Sequence, residues 1–231
     1  MTSRPSTVVW DLGAVVIDWD PRHLYRKLLP DEAAVEAFLA EVCTPAWHHR
    51  HDEGRPIAEG VAELLAAFPD RTALIRAYLE RWDEMFAGEI EGSVSLIEEL
   101  ATAGVPQFGL TNWPGEMFPR ARERFPVLTH LRGVVVSGEE GVAKPSPEVF
   151  RRLLERFGLT ASGCLFVDDS ARNVEAAAAL GFAVERFRTP DAVRARLERE
   201  GLLDGEPRPV ARLRAPLAEP AIEQGKRDTS E

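Results

Sequence analysis

The sequence predicts an α/β fold: a parallel sheet covered by helices on both faces, interrupted early by an all-helical insertion. Three observations predict it. Short apolar strands alternate with amphipathic helices through the second half of the chain, which is the grammar of a parallel sheet. Three of the apolar runs end abruptly on polar residues. Between the first run and the rest lies a long stretch of purely helical periodicity.

Thr7–Trp10 is short, apolar and β-branched, and stops at Asp11, so it reads as a buried strand. Ala14–Ile17 is a second extended piece close behind it, and the two suggest a hairpin-like flap. Asp20 followed by Pro21 is a good N-cap and first-turn pair. Val35, Phe38, Leu39 and Val42 then recur on one helix face; so do Val61, Leu64, Leu65 and Phe68, and again Leu74, Tyr78, Leu79 and Trp82. No strand pattern interrupts them up to about Glu84.

Beyond this point helix and strand alternate. Ser93–Ala103 reads as a helix stopped by Gly104, with a strand over Val105–Leu110. Val134–Val136 is a short strand. Ser146, Pro147 and Glu148 open a helix with Val149, Phe150, Leu153, Leu154 and Phe157 on its face, ended by Gly158. Cys164–Val167 is the next strand. A helix capped by Ser170 runs to Leu180, and Gly181 releases it into the strand Phe182–Phe187. The expected organisation is a Rossmann-like core over 1–18 and 86–203, a helical cap over 19–85, and a mobile, proline-rich tail over 204–231.

Composition narrows the function. The 231 residues carry a formal net charge of −10, which argues against nucleic-acid binding. No apolar run approaches the roughly twenty residues of a membrane span. Met1–Ser6 lacks an export pattern, and two cysteines, Cys43 and Cys164, are too few for a disulfide framework. A cytoplasmic protein, monomer or homodimer, is expected. Cys164 opens a core strand and should be an inert buried thiol.

The strand ends carry the chemistry. Val8-Val9-Trp10 ends on Asp11, Phe108-Gly109-Leu110 on Thr111 and Asn112, and Leu165-Phe166-Val167 on Asp168 and Asp169. In an open α/β sheet, ligands bind beyond these carboxyl ends, so the groups should converge. Lys144 follows a glycine-bearing loop and can reach the same rim. Clustered carboxylates repel unless a cation lies between them, and an oxygen-only set suits Mg²⁺. A carboxylate can attack phosphorus, while Thr111, Asn112 and Lys144 hold the phosphoryl oxygens.

The segments V-V-W-D-L-G, F-G-L-T-N, G-V-A-K-P-S-P-E-V-F and C-L-F-V-D-D-S-A-R-N, in that order, resemble the four motifs of the haloacid dehalogenase superfamily. The helical insertion resembles that superfamily's first cap class. The resemblance covers about residues 7–190 and implies a Mg²⁺-dependent phosphohydrolase acting on a small phosphorylated substrate. It makes Asp11 the nucleophile. It assigns the metal to the Asp11 carboxylate, the Gly13 carbonyl and Asp169, with Asp168 ligating or supporting, and the phosphoryl group to Thr111, Asn112 and Lys144. One departure stands out. Phosphatases of this family mostly carry a second Asp two residues after the nucleophile, where this chain has Gly13. The pattern is similar to that of bacterial sugar-phosphate phosphatases of the α-glucose-1-phosphate type. Asp18, a cap histidine or water is then left as proton donor.

Simpler readings compete at several positions. A strand-end Thr is often only a helix cap, and a loop lysine is often only solvated. The run Trp47-His48-His49-Arg50-His51-Asp52-Glu53 could hold a metal, contact substrate or be polar surface. Trp19 and Trp113 could line the pocket or pack the core. Rival functions are a metal-free 2-haloacid dehalogenase, disfavoured by the Asp168-Asp169 pair, a phospho-accepting receiver module, and a phosphate binder without turnover.

Overall fold

The computed structural model describes residues 4–204. The chain passes through β1 (Thr7–Trp10) and β2 (Ile17–Trp19), then α1 (Pro21–Tyr25), α2 (Glu32–Glu41), α3 (Pro45–Asp52), α4 (Ile57–Ala67) and α5 (Thr72–Glu80). Next come β3 (Phe86–Glu89), α6 (Glu91–Thr102), β4 (Gln107–Thr111), α7 (Phe118–Arg124), β5 (Val134–Val136) and α8 (Ser137–Glu140). The last elements are α9 (Pro147–Phe157), β6 (Cys164–Asp168), α10 (Ala171–Ala179), β7 (Ala183–Arg186) and α11 (Pro190–Glu200).

Five strands form one sheet in the order β5-β4-β1-β6-β7, with every neighbouring pair parallel. β1 is central and buried on both faces, which is why its sequence is continuously apolar rather than alternating. Successive side chains still point to opposite faces. Val8 and Trp10 join the cluster that holds Leu96, Ile97 and Leu100 of α6 with Val193 and Leu197 of α11. Val9 joins the opposite cluster, with Val149, Phe150 and Leu153 of α9. Two buried polar side chains here satisfy each other: Trp10 Nε1 donates to Gln107 Oε1 at 3.0 Å, and Gln107 Nε2 donates to the Ile97 carbonyl at 2.8 Å.

The helices α1–α5 sit between β2 and β3, which pair antiparallel at the base of the insertion. Asp20 caps α1 as expected, and Asp31 and Thr44 cap α2 and α3. Asp20 accepts from the Arg22 N–H at 2.9 Å, Asp31 from Ala34 at 2.8 Å, and Thr44 from Trp47 at 3.0 Å.

Several expectations are corrected. Ala14–Ile17 is not a strand: the N–H groups of Val15, Val16 and Ile17 all turn back to the Leu12 carbonyl, and only Ile17 begins β2. The partner of β2 is β3, on the far side of the insertion, rather than an adjacent strand. On α5 the buried stripe runs through Ile75 and Tyr78, with Leu74 and Leu79 partly exposed. Ser170 precedes α10, but its side chain makes no capping hydrogen bond. The helices α7 and α11 were not anticipated. The expected tail lies, apart from Asp204, outside the described residues. Among the described residues no helix is long and apolar enough to cross a membrane.

Candidate active site

The C-terminal edge of the sheet gathers the predicted residues. Asp11 lies one residue past β1, Thr111 ends β4 and Asp168 ends β6. The Asp11 N–H still pairs with the Val167 carbonyl at 2.9 Å, so strand geometry fixes where its side chain starts. The Asp11 carboxylate then accepts from the Leu12 N–H at 2.7 Å.

Lys144 is completely withdrawn from solvent and forms the hub. Its Nζ lies 2.9 Å from Asp11 Oδ1 and 2.7 Å from Asp168 Oδ2, and 5.5 Å from the centre of the Phe166 ring. The solvated-loop reading is therefore excluded. Burial opposes the Lys144 charge, but Asp11 and Asp168 outweigh it and hold the ammonium above its ordinary range. Burial pushes the Asp11 carboxyl well up, against the pull of Lys144 and with the charges of Asp168 and Asp169 adding to the rise. Partial desolvation and then the Asp168 charge raise Asp169.

Asp168 is saturated. Its Oδ1 accepts from the Ser170 N–H at 2.8 Å, its Oδ2 from Lys144, and Asn173 Nδ2 reaches both oxygens at 3.1 Å. Asp169 is the exposed member of the acid pair. One oxygen from each of Asp11, Asp168 and Asp169 lies within 4.8 Å of the others. Three carboxylates thus face one ammonium, and the excess negative charge favours a further cation.

Asn112 makes contacts that the sequence did not predict. Its Nδ2 donates to the Lys144 carbonyl at 2.9 Å and its Oδ1 accepts from the Lys144 N–H at 2.8 Å. The side chain braces the lysine backbone, using one of its two amide hydrogens. Thr111 Oγ1, by contrast, is buried with no hydrogen-bond partner among the described residues. The Gly13 carbonyl takes none of the loop's backbone hydrogen bonds, which go to Leu12 and Ile17.

Two supporting residues escaped sequence reasoning. Asn173 is buried on the first turns of α10, and Ser137 Oγ accepts from the Trp113 N–H at 3.0 Å, tying the loop after β4 to the end of β5. Asn173 follows the acid pair by a helical turn, a spacing that could have flagged it.

The histidine run lies on α3. His48 shares a hydrogen bond with the Tyr78 hydroxyl, stacks on Trp19 at 4.9 Å, and has Nε2 3.5 Å from Asp52 Oδ1. Burial holds His48 below its usual range. His49 lies 3.7 Å from Asp52 and 3.8 Å from Glu53, and its contact with Asp52 raises it. His51 is buried, and its Nδ1–H donates to the Arg55 carbonyl at 2.9 Å. Among the described residues the only metal-compatible group of acids and histidines is Asp11, Asp168 and Asp169. Trp113 is core, stacked on Phe86 at 5.6 Å.

The class is thus an α/β protein whose parallel sheet carries an acid nucleophile candidate, a buried lysine and a carboxylate pair at its C-terminal edge. The chain belongs to the haloacid dehalogenase-like hydrolases, whose family pattern matches residues 5–181. It is 27% identical to a sesquiterpene phosphatase of Aspergillus oryzae, over 78% of this chain and 89% of that one. It is 32% identical to a phosphatase of Mycobacterium tuberculosis, over 66% of this chain and 73% of the relative. A haloacid dehalogenase family enzyme of Bacteroides thetaiotaomicron, solved with magnesium and inorganic phosphate, superposes with a TM-score of 0.62 at 18% identity, covering 80% of this chain and 94% of the other.

Proposed function

We propose that the chain is a Mg²⁺-assisted phosphohydrolase of a small phosphorylated metabolite, sugar phosphate-like, acting through an aspartyl-phosphate on Asp11. One observation carries the reading: the buried Lys144 ammonium is held between Asp11 and Asp168, with the Asp169 carboxylate beside them. The donor set fits a hard divalent cation. Asp11, Asp169 and the unengaged Gly13 carbonyl would hold it, while Asp168, saturated by Lys144, Asn173 and Ser170, positions the lysine instead. When bound, the ion neutralises charge on the phosphoryl group and lowers repulsion between it and the nucleophile.

The chain's own residues do the rest. Lys144 favours the ionised form of Asp11 against the effect of burial and presents positive charge where phosphoryl oxygens gather. Thr111 offers an unused hydroxyl to the same group. Asn112 fixes the Lys144 backbone so that the ammonium cannot swing away. The helices of 19–85 act as the cap that selects substrate. Both thiols are pushed up by burial, Cys43 to about 12 and Cys164 to about 11, so neither is an activated nucleophile.

The test is phosphate release from a panel of phosphorylated metabolites. It should require Mg²⁺, stop with EDTA, and vanish in Asp11→Asn; undiminished release by that variant sinks the mechanism.

A further inference from the structure

The proton-bearing side chains around Asp11 are already committed. The Lys144 ammonium is gripped by Asp11 and Asp168 at 2.9 and 2.7 Å, and Asn112 is tied to the lysine backbone. Thr111 offers only an alcohol, too weak an acid to protonate a departing alkoxide. Two residues past the nucleophile, Gly13 has no side chain, and a Cβ placed there would meet no heavy atom within 4 Å. The space is open to a substrate but brings no acid to it. The other candidates, Asp18 and the histidines of α3, have partners of their own. Asp18 lies 3.0 Å from His23, His48 is bound to Tyr78 and stacked on Trp19, and His49 lies against Asp52 and Glu53.

We infer, resting on the phosphohydrolase reading above, that this site takes phosphates whose leaving oxygen departs unprotonated as a stable anion. Aryl, enol and acyl phosphates and phosphoanhydrides share that chemistry, and phosphates of ordinary alcohols lack it. Among sugar phosphates the anomeric ester, with its hemiacetal leaving group, is favoured over esters of primary hydroxyls. In the first step an Asp11 oxygen bonds to phosphorus while the bond from phosphorus to the leaving oxygen breaks. The bonding pair leaves with that oxygen, which takes its proton later from bulk water. In the second step water attacks phosphorus and the bond to Asp11 breaks, its pair returning to the carboxylate. The water proton goes to solvent, and inorganic phosphate leaves. No side chain at position 13 assists this water, so the phosphorylated Asp11 accumulates.

The experiment measures kcat/KM for substituted phenyl phosphates of increasing phenol basicity, with Mg²⁺, in the wild type, Gly13→Ala and Gly13→Asp. General acids contribute roughly a hundredfold or more. The wild type and Gly13→Ala should therefore lose about that factor between p-nitrophenyl and phenyl phosphate. Gly13→Asp, for which the structure leaves room, should flatten the dependence. Rapid mixing with p-nitrophenyl phosphate should show a burst of about one nitrophenol per wild-type site, and a smaller one in Gly13→Asp. A flat wild-type profile without a burst overturns the inference alone. If that flat profile turns steep in His49→Asn or His48→Asn, the proton comes from the helical insertion. Absence of release from every ester overturns the phosphohydrolase reading and this inference with it.

Discussion

Lys144 Nζ, itself buried, lies 2.9 Å from Asp11 Oδ1, although the two residues are far apart in the sequence. The ammonium pulls the Asp11 carboxyl down against the rise that burial imposes, and Asp11 in turn supports the buried ammonium. Removing the cation should therefore damage stability and chemistry together. Lys144→Met leaves two carboxylates facing each other and should cost about 3–5 kcal/mol without Mg²⁺, as broken buried pairs do. Its kcat should fall about a hundredfold to a thousandfold, the usual effect of losing one charge-stabilising donor. Urea unfolding and steady-state rates measure the two effects. A fully active Lys144→Met would remove the lysine from the chemistry.

Asn112 separates a brace from a ligand contact. If it sets the Lys144 backbone, Asn112→Ala strands a buried N–H and carbonyl and should lower stability by about 1–3 kcal/mol, with kcat falling more than KM rises. A variant of wild-type stability whose only defect is a higher KM would mean that Asn112 holds substrate instead.

The two adjacent acids should behave differently. Asp168→Asn loses the anion that fixes Lys144, and should lower kcat while keeping most Mg²⁺ affinity. Asp169→Asn should lose Mg²⁺ affinity at least about tenfold, as changes around a metal site do. Calorimetric titration of Mg²⁺ into both variants checks this. Equal losses of affinity would make Asp168 a ligand.

The histidines of α3 should titrate apart. Burial holds His48 and His51 below the ordinary value of 6.5, and the contact with Asp52 holds His49 above it. The signs follow from linkage. With folded values depressed, His48 and His51 contribute stability above 6.5 that is lost as pH falls through their folded values. His49, raised, contributes stability below 6.5 that is lost as pH rises through its folded value. Imidazole NMR titrations should show one midpoint above 6.5 and two below. His48→Asn should flatten the acid-side decline in stability. A His48 midpoint above that of His49 would contradict this account.

Much of the site could be read from sequence because its residues stand where apolar strands stop. Asp11, Thr111 and Asp168 interrupt buried runs, and a buried run that ends on an acid needs a reason. The bracing contacts of Asn112 were not foreseen, because which way a side-chain amide turns depends on a loop about thirty residues on. Asn173 and Ser137 sit among ordinary helix and loop residues and became visible only through their partners. The pairing of β2 with β3 joins residues on either side of five helices, so no local pattern reports it. The helices α7 and α11 were missed because each buries so little: Phe118 and Ala121 in one, Val193 and Leu197 in the other, amid arginines and glutamates.

The most direct test of the central claim is to quench the enzyme in acid during turnover with p-nitrophenyl phosphate and Mg²⁺, then map the phosphoryl group by peptide mass spectrometry. The account predicts a phosphorylated peptide containing Asp11, absent from Asp11→Asn. Turnover without a phosphorylated Asp11, or phosphate release by Asp11→Asn at the wild-type rate, would contradict it.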